Sequence, residues 1–176
     1  MNIVGVDLAA KQKNSTGICS LNQETCLFTL YSDRDIIEGV QDHMPELIAL
    51  DAPLIKGKIR IREVDRYLKK YGALLPTIPS MKPLVRRGGK MADIFISQGY
   101  EVIEVFPTAT AKILGVYSPD YKLMAQEFGI QPRNEHEMDA YLAALTGKLK
   151  VAHQAVEIGD DNGRVILPRK KNEELS

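Results

Sequence analysis

Residues 47–54 read LIALDAPL, so Asp51 ends a run of four apolar residues that is bound for a protein core. A buried, unpaired carboxylate costs free energy and either neutralises or finds a partner. Asp7 has the same setting, IVGVD followed by LAA, and Glu104 lies in EVIEVFP. A third group of acids opens the segment from 133, with Glu135, His136, Glu137 and Asp139. Asp139 sits one residue after Met138 and two before Tyr141, inside an apolar stripe, and Glu135 lies four residues before it on the same helical face. Acids that converge repel one another, and a hard cation between them relieves the cost. Mg²⁺ takes oxygen ligands and usually keeps waters, which leaves room for a phosphate. Two such ions about 4 Å apart activate water and stabilise the leaving oxygen of a phosphodiester. Asp7, Asp51 and Asp139 are therefore candidate ligands of Mg²⁺ or Mn²⁺. Glu104 is a fourth candidate catalytic acid, with Glu135 and His136 as accessory groups. Each has an ordinary explanation alone: a turn former for Asp51, a solvent-facing strand residue for Glu104, a surface group for His136. The joint pattern is more specific than any member.

The elements that must position these acids are legible from periodicity and punctuation. Residues 2–9 read as a buried strand, and 15–21 and 24–32 as two more joined by a short turn at Asn22-Gln23. Residues 33–44 have helical spacing, with Asp33 or Asp35 as cap and Pro45 as stop, and 46–52 is a fourth strand covered on both faces. Residues 60–72 predict a helix with Val64 and Leu68 inward. The proline- and glycine-rich stretch that follows predicts an irregular excursion up to a helix over 91–100. Residues 101–107 are a fifth strand. Helices are expected over 108–115, capped by Thr108 or Thr110, over 118–129 and over 133–150. Asp161-Asn162-Gly163 marks a hairpin within 155–168, and 169–176 is a polar tail. Strands one to three form an antiparallel meander. Strands four and five follow helical crossovers and run parallel to the first. The expected fold class is α/β: a mixed five-stranded sheet with helices on both faces and a C-terminal hairpin, in a single domain over 1–168. In open α/β sheets the ligand crevice lies outside the carboxyl ends of the strands, where Asp7 and Asp51 fall.

Composition sets the outer bounds. A chain of 176 residues, 44% hydrophobic and 26% charged, is long enough to bury a proper core. Lysine plus arginine and aspartate plus glutamate are 23 each, so global charge points neither to nor away from nucleic acid. No run of 18 apolar residues suggests a membrane span. The N-terminus reads as a strand rather than a signal peptide, so a cytoplasmic location is expected. Cys19 and Cys26 lie in adjacent strands and are expected to be reduced, packed thiols rather than a disulfide or zinc site.

The acids at strand one, strand four and the last long helix resemble the ribonuclease H-like superfamily of nucleases, resolvases and transposases. More closely, VGVDLA, TGI, ALDAPL, REVDRYLKKYG, VIEVFPTATAKILG and DAYLAALTG resemble domain-of-unknown-function family 429, a predicted nuclease family of ribonuclease H-like fold. The resemblance runs from about residue 2 to 168. It implies a metal-dependent nuclease in which Asp7 matches the strand-one acid, Asp51 the strand-four acid, Asp139 the helix acid and Glu104 the glutamate of the family's viEv-P string. Ribonucleases H also carry a glutamate on the first helix. Glu38 is not clearly aimed at the site, so the resolvase-like arrangement fits better.

Nine basic residues fall in positions 60–90 of a neutral protein. Arg62, Arg66, Arg86 and Arg87 are the candidate phosphate contacts, since neutralisation of phosphates by arginine and lysine drives nucleic-acid binding. LVRRGGK also reads as a mobile lid. It is not a phosphate loop, because the GxxxxGK[ST] spacing is absent. The rival readings are a non-catalytic nucleic-acid or nucleotide binding protein of the same fold and, with less support, a phosphotransferase. No feature marks a dimer face, so oligomeric state is open.

Overall fold

The computed structural model describes residues 1–170; residues 171–176, most of the expected polar tail, lie outside the described residues. Strands β1 (Ile3–Asp7), β2 (Thr16–Leu21) and β3 (Thr25–Leu30) are followed by helix α1 (Asp33–Asp42) and strand β4 (Leu47–Asp51). Helix α2 (Glu63–Leu68) runs into a 3₁₀ turn at Lys69–Tyr71, and α3 (Lys82–Ser97) leads to β5 (Glu101–Glu104). Then come α4 (Pro107–Leu114), α5 (Tyr121–Phe128), α6 (Glu135–Val151) and the hairpin strands β6 (Ala155–Asp160) and β7 (Gly163–Pro168). The main sheet has the order β3-β2-β1-β4-β5. β1, β2 and β3 are antiparallel neighbours, while β4 pairs in parallel with both β1 and β5. This is the expected mixed sheet.

Strand alternation divides the core into two layers. Ile3, Leu47, Ala49 and Ile103 face α6 with Met138, Ala140 and Leu142. Val4, Val6, Ile48 and Leu50 face the other way, against Ile36 and Val40 of α1 and Met91 and Phe95 of α3. The C-terminal hairpin packs Val165 and Leu167 against Val64 and Leu68 of α2, and Val105 bridges to Ile166.

Several local expectations are corrected. The stretch expected to be irregular up to residue 90 is helical from Lys82, with a proline in the first turn, where its missing N–H costs nothing. Gly88 and Gly89 lie inside that helix, not in a mobile lid. Gly88 is required by packing, because a Cβ there would stand 2.6 Å from the Ala52 Cβ. Ser32, not Asp33 or Asp35, caps α1 by accepting from the Asp35 N–H. No side chain caps α4; Thr110 instead shares a 2.7 Å hydrogen bond with Thr146 inside the core. Both cysteines are free thiols, but Cys26 is exposed and stands opposite Ser20 rather than Cys19.

Candidate active site

Asp7 and Asp51 are register partners at the carboxyl ends of adjacent parallel strands. Neighbouring strands lie about 4.8 Å apart, so the two side chains leave the same sheet face at the same edge. That face is the one covered by α6. The helix lies on the sheet backbone itself. A Cβ at Gly5 would be 2.1 Å from the Ala140 carbonyl oxygen, and one at Gly17 would be 1.9 Å from that of His136. Only glycine allows this approach. It brings the first turns of α6 over the two aspartates: His136 Nδ1 meets Asp7 Oδ2 at 2.7 Å. Asn134 caps the helix by accepting from the Glu137 N–H. The fully buried Glu137 carboxylate accepts from the Arg133 N–H and the Thr29 hydroxyl, pinning the helix start to β3.

Electrostatics single out these acids. Burial lifts the Asp51 carboxyl well above the usual range, and the negative charges of Asp7, Asp139 and Glu104 add to it. Asp139 is pushed up to about 7, chiefly by burial, with Asp7 and Glu135 adding and His136 opposing. Burial also raises Asp7, against the hydrogen bond from His136. That same hydrogen bond holds His136 above its ordinary value, against its partial burial. Among the described residues, nothing donates a hydrogen bond to the side chains of Asp51 or Asp139. Glu135 is exposed at the helix start.

Glu104 stands elsewhere. Its register partner is Leu50, one residue back from Asp51, so alternation turns it to the opposite face. There it accepts two 2.7 Å hydrogen bonds from Arg62 and one from the Leu54 N–H. Arg62 also grips Asp65 and is only 2% exposed. Burial works against its charge, yet its two carboxylate partners hold its pKa above the ordinary value. Arg62 is thus not a phosphate contact, and Glu104 is not a free ligand. The triad fixes the chain just after Asp51. Arg87 is corrected in the same way: its guanidinium bonds Asp33 and the carbonyls of Ala9 and Tyr31, tying α3 to the loop that follows Asp7. Arg66 and Arg86 are exposed, and Arg86 lines a groove between α3 and residues 54–59. Glu38 is paired with Arg34 at the surface.

Sequence reasoning missed Asp65, Gly5 and Gly17. Glycine inside a strand signals close backbone approach, so Gly5 and Gly17 were findable. Asp65, three residues after Arg62, carried no comparable signal.

The donor set suits a hard divalent cation: carboxylate oxygens at one edge, two of them without a protein donor. Among the described residues, however, no three His, Cys, Asp or Glu side chains are gathered closely enough to hold an ion as they stand. Binding one would require the carboxylates to turn toward it. No described helix is long and apolar enough to cross a membrane.

Neither a family model nor a curated protein sequence matches the chain. Among solved structures, it is similar to T. thermophilus RuvC in complex with a Holliday junction substrate. The TM-score is 0.56 at 12% identity, covering 87% of this chain and 96% of that one. At that identity the likeness is one of fold, and the fold is ribonuclease H-like α/β.

Proposed function

We propose that this protein is a divalent-metal-dependent nuclease that hydrolyses phosphodiester bonds of DNA or RNA. The observation that carries the reading is the register-matched pair Asp7 and Asp51, roofed by Asp139 and His136, with all three aspartates raised chiefly by burial and further by neighbouring carboxylates. Such perturbed groups gathered at the carboxyl edge of a sheet are what a charge-handling site requires. The fold likeness to a structure solved with a DNA junction supports nucleic acid as the partner.

Asp7, Asp51 and Asp139 would hold Mg²⁺ or Mn²⁺, which would supply Lewis acidity to a water and to the departing oxygen. His136 orients Asp7 through its Nδ1 and lines the opening beside Lys13 and Asn14, where it can pass a proton. Arg66 and Arg86 are exposed cations within reach of a passing phosphate chain. Arg62, Asp65 and Glu104 hold the backbone after Asp51, and Arg87 holds that after Asp7. We further propose membership of family 429, supported by ALDAPL and VIEVFPTATAKILG.

One observation favours a second reading, a binding protein without turnover: the acids do not close on a single point. Cleavage assays decide between them. Labelled single- and double-stranded DNA and RNA, a hybrid and a four-way junction are incubated with Mg²⁺, Mn²⁺ or EDTA, beside Asp51→Asn. The nuclease reading expects cleavage that needs metal and disappears in the variant. Binding without cleavage on every substrate sustains the second reading.

A further inference from the structure

A cavity of about 270 Å³ has Asp51 in its lining. Leu68, Leu74, Met81, Leu84 and Phe106 form its apolar walls. Its volume falls just below the roughly 300–1,000 Å³ of pockets for drug-sized ligands, so it suits one planar ring system rather than a chain. Its polar lining is rich in acceptors. Asp65 and Glu104 border it, and among the described residues Glu104 Oε1 accepts a single hydrogen bond, from Arg62. Thr108 also lines it, and among the described residues no group bonds its hydroxyl. The flanking elements carry exposed Arg66, Lys69 and Lys82, cations suited to phosphate.

We propose that this cavity seats a single unstacked nucleobase of the nucleic acid, so that the adjoining phosphodiester lies at Asp51; the seating of that phosphodiester rests on the nuclease reading above. Enzymes that must reach one nucleotide take its base out of the stack into a snug pocket walled by aromatic and apolar side chains. Phe106 and the leucines supply such walls, and the phosphates stay outside among the cations. The acceptor-rich lining selects a base with an exocyclic amino group, cytosine, adenine or guanine, over thymine.

The test is calorimetric titration of the full chain in Mg²⁺ with dCMP, dAMP, dTMP and 2-deoxyribose 5-phosphate. dCMP and dAMP are expected to bind at least about tenfold tighter than the sugar phosphate, in line with one stacked base. dTMP is expected to fall below dCMP. Ala73→Phe, which places a ring in the cavity, should erase the difference. Thr108→Val keeps the side-chain shape and should weaken dCMP by about twofold to tenfold, as one hydrogen bond allows. Circular dichroism melts confirm the fold of both variants. Equal affinity for dCMP and 2-deoxyribose 5-phosphate overturns the proposal, as does a base preference that survives Ala73→Phe in a folded protein. dTMP binding as tightly as dCMP overturns the amino-group selection. Base-dependent binding with no cleavage of any nucleic acid keeps the pocket and removes the nuclease. Cleavage with base-independent binding does the reverse.

Discussion

Replacing Asp139 by asparagine should stabilise the metal-free protein at pH 8 while removing its proposed activity. In the folded chain the Asp139 carboxyl titrates at about 7, against an ordinary value of 3.8. Its folded pKa is raised, so the folded state holds the proton more tightly than the unfolded state. The stability this contributes is fully present below about pH 4 and is lost as pH rises through 7. A displacement of roughly three units corresponds to about 4 kcal/mol lost by pH 8 as an upper bound. Asparagine removes the charge but still buries an amide, which costs about 1–3 kcal/mol. The net gain expected at pH 8 is therefore about 1–3 kcal/mol, turning into a loss of about 1–3 kcal/mol at pH 4, where wild type is already neutral at this position and only the amide cost remains. The assay is urea denaturation of both proteins at pH 4, 6 and 8 in EDTA, compared as a difference so that other titrating groups cancel. Repeating it in Mg²⁺ should shrink the gain, because a bound cation relieves the same repulsion in wild type. An asparagine variant less stable than wild type at pH 8, or a difference that does not vary with pH, would refute the reasoning: Asp139 would then be held by a favourable contact.

Other perturbations separate the site from its scaffold. Arg62→Met leaves Glu104 and Asp65 buried without their cation and should cost about 3–5 kcal/mol in chemical denaturation, much of it recovered by adding Glu104→Gln. The His136 pKa is raised by Asp7, so the pair stabilises the fold below about pH 6.5 and loses that contribution as pH climbs past the folded value. An NMR titration of His136 in Asp7→Asn should show its pKa falling. Gly88→Ala should lose about 1–3 kcal/mol against Ala52. Gly89→Ala, whose Cβ meets only the Ile55 carbonyl at 3.5 Å, should gain about 0.5–1 kcal/mol from helix propensity. Mg²⁺ should raise the melting temperature of wild type at pH 8 and leave Asp51→Asn unchanged.

The sheet was legible because its signals are local. Apolar runs in 2–9 and 46–52 and the Asp-Asn-Gly turn each act through neighbouring residues. The placement of Asp7 and Asp51 followed from strand order and parallel pairing alone. The arginines were not legible, since Arg62 and Arg66 fall in one expected helix of one composition, whereas in the fold Arg62 precedes α2. Arg62 is internal because Asp65 and Glu104, 3 and 42 residues away, complete its coordination. Arg87 likewise depends on carbonyls 78 and 56 residues distant. Glycine in the stretch before residue 91 was misleading for a related reason. Its absence of a side chain admits either freedom or crowding, and only Ala52, far away in sequence, shows that crowding applies.

The contact of α6 with Gly5 and Gly17 sets the site's spacing by backbone against backbone. Aliphatic side chains elsewhere in the layer can exchange for others of similar volume over evolutionary time, and the helix will keep its height above the strands. The two glycines have no such latitude, because any larger residue lifts the helix and carries His136 and Asp139 away from Asp7 and Asp51. A mutational survey that scores the proposed activity should therefore find these two positions as intolerant as the acids, and one that scores folding should find them less tolerant than the acids, although neither bears a reactive atom.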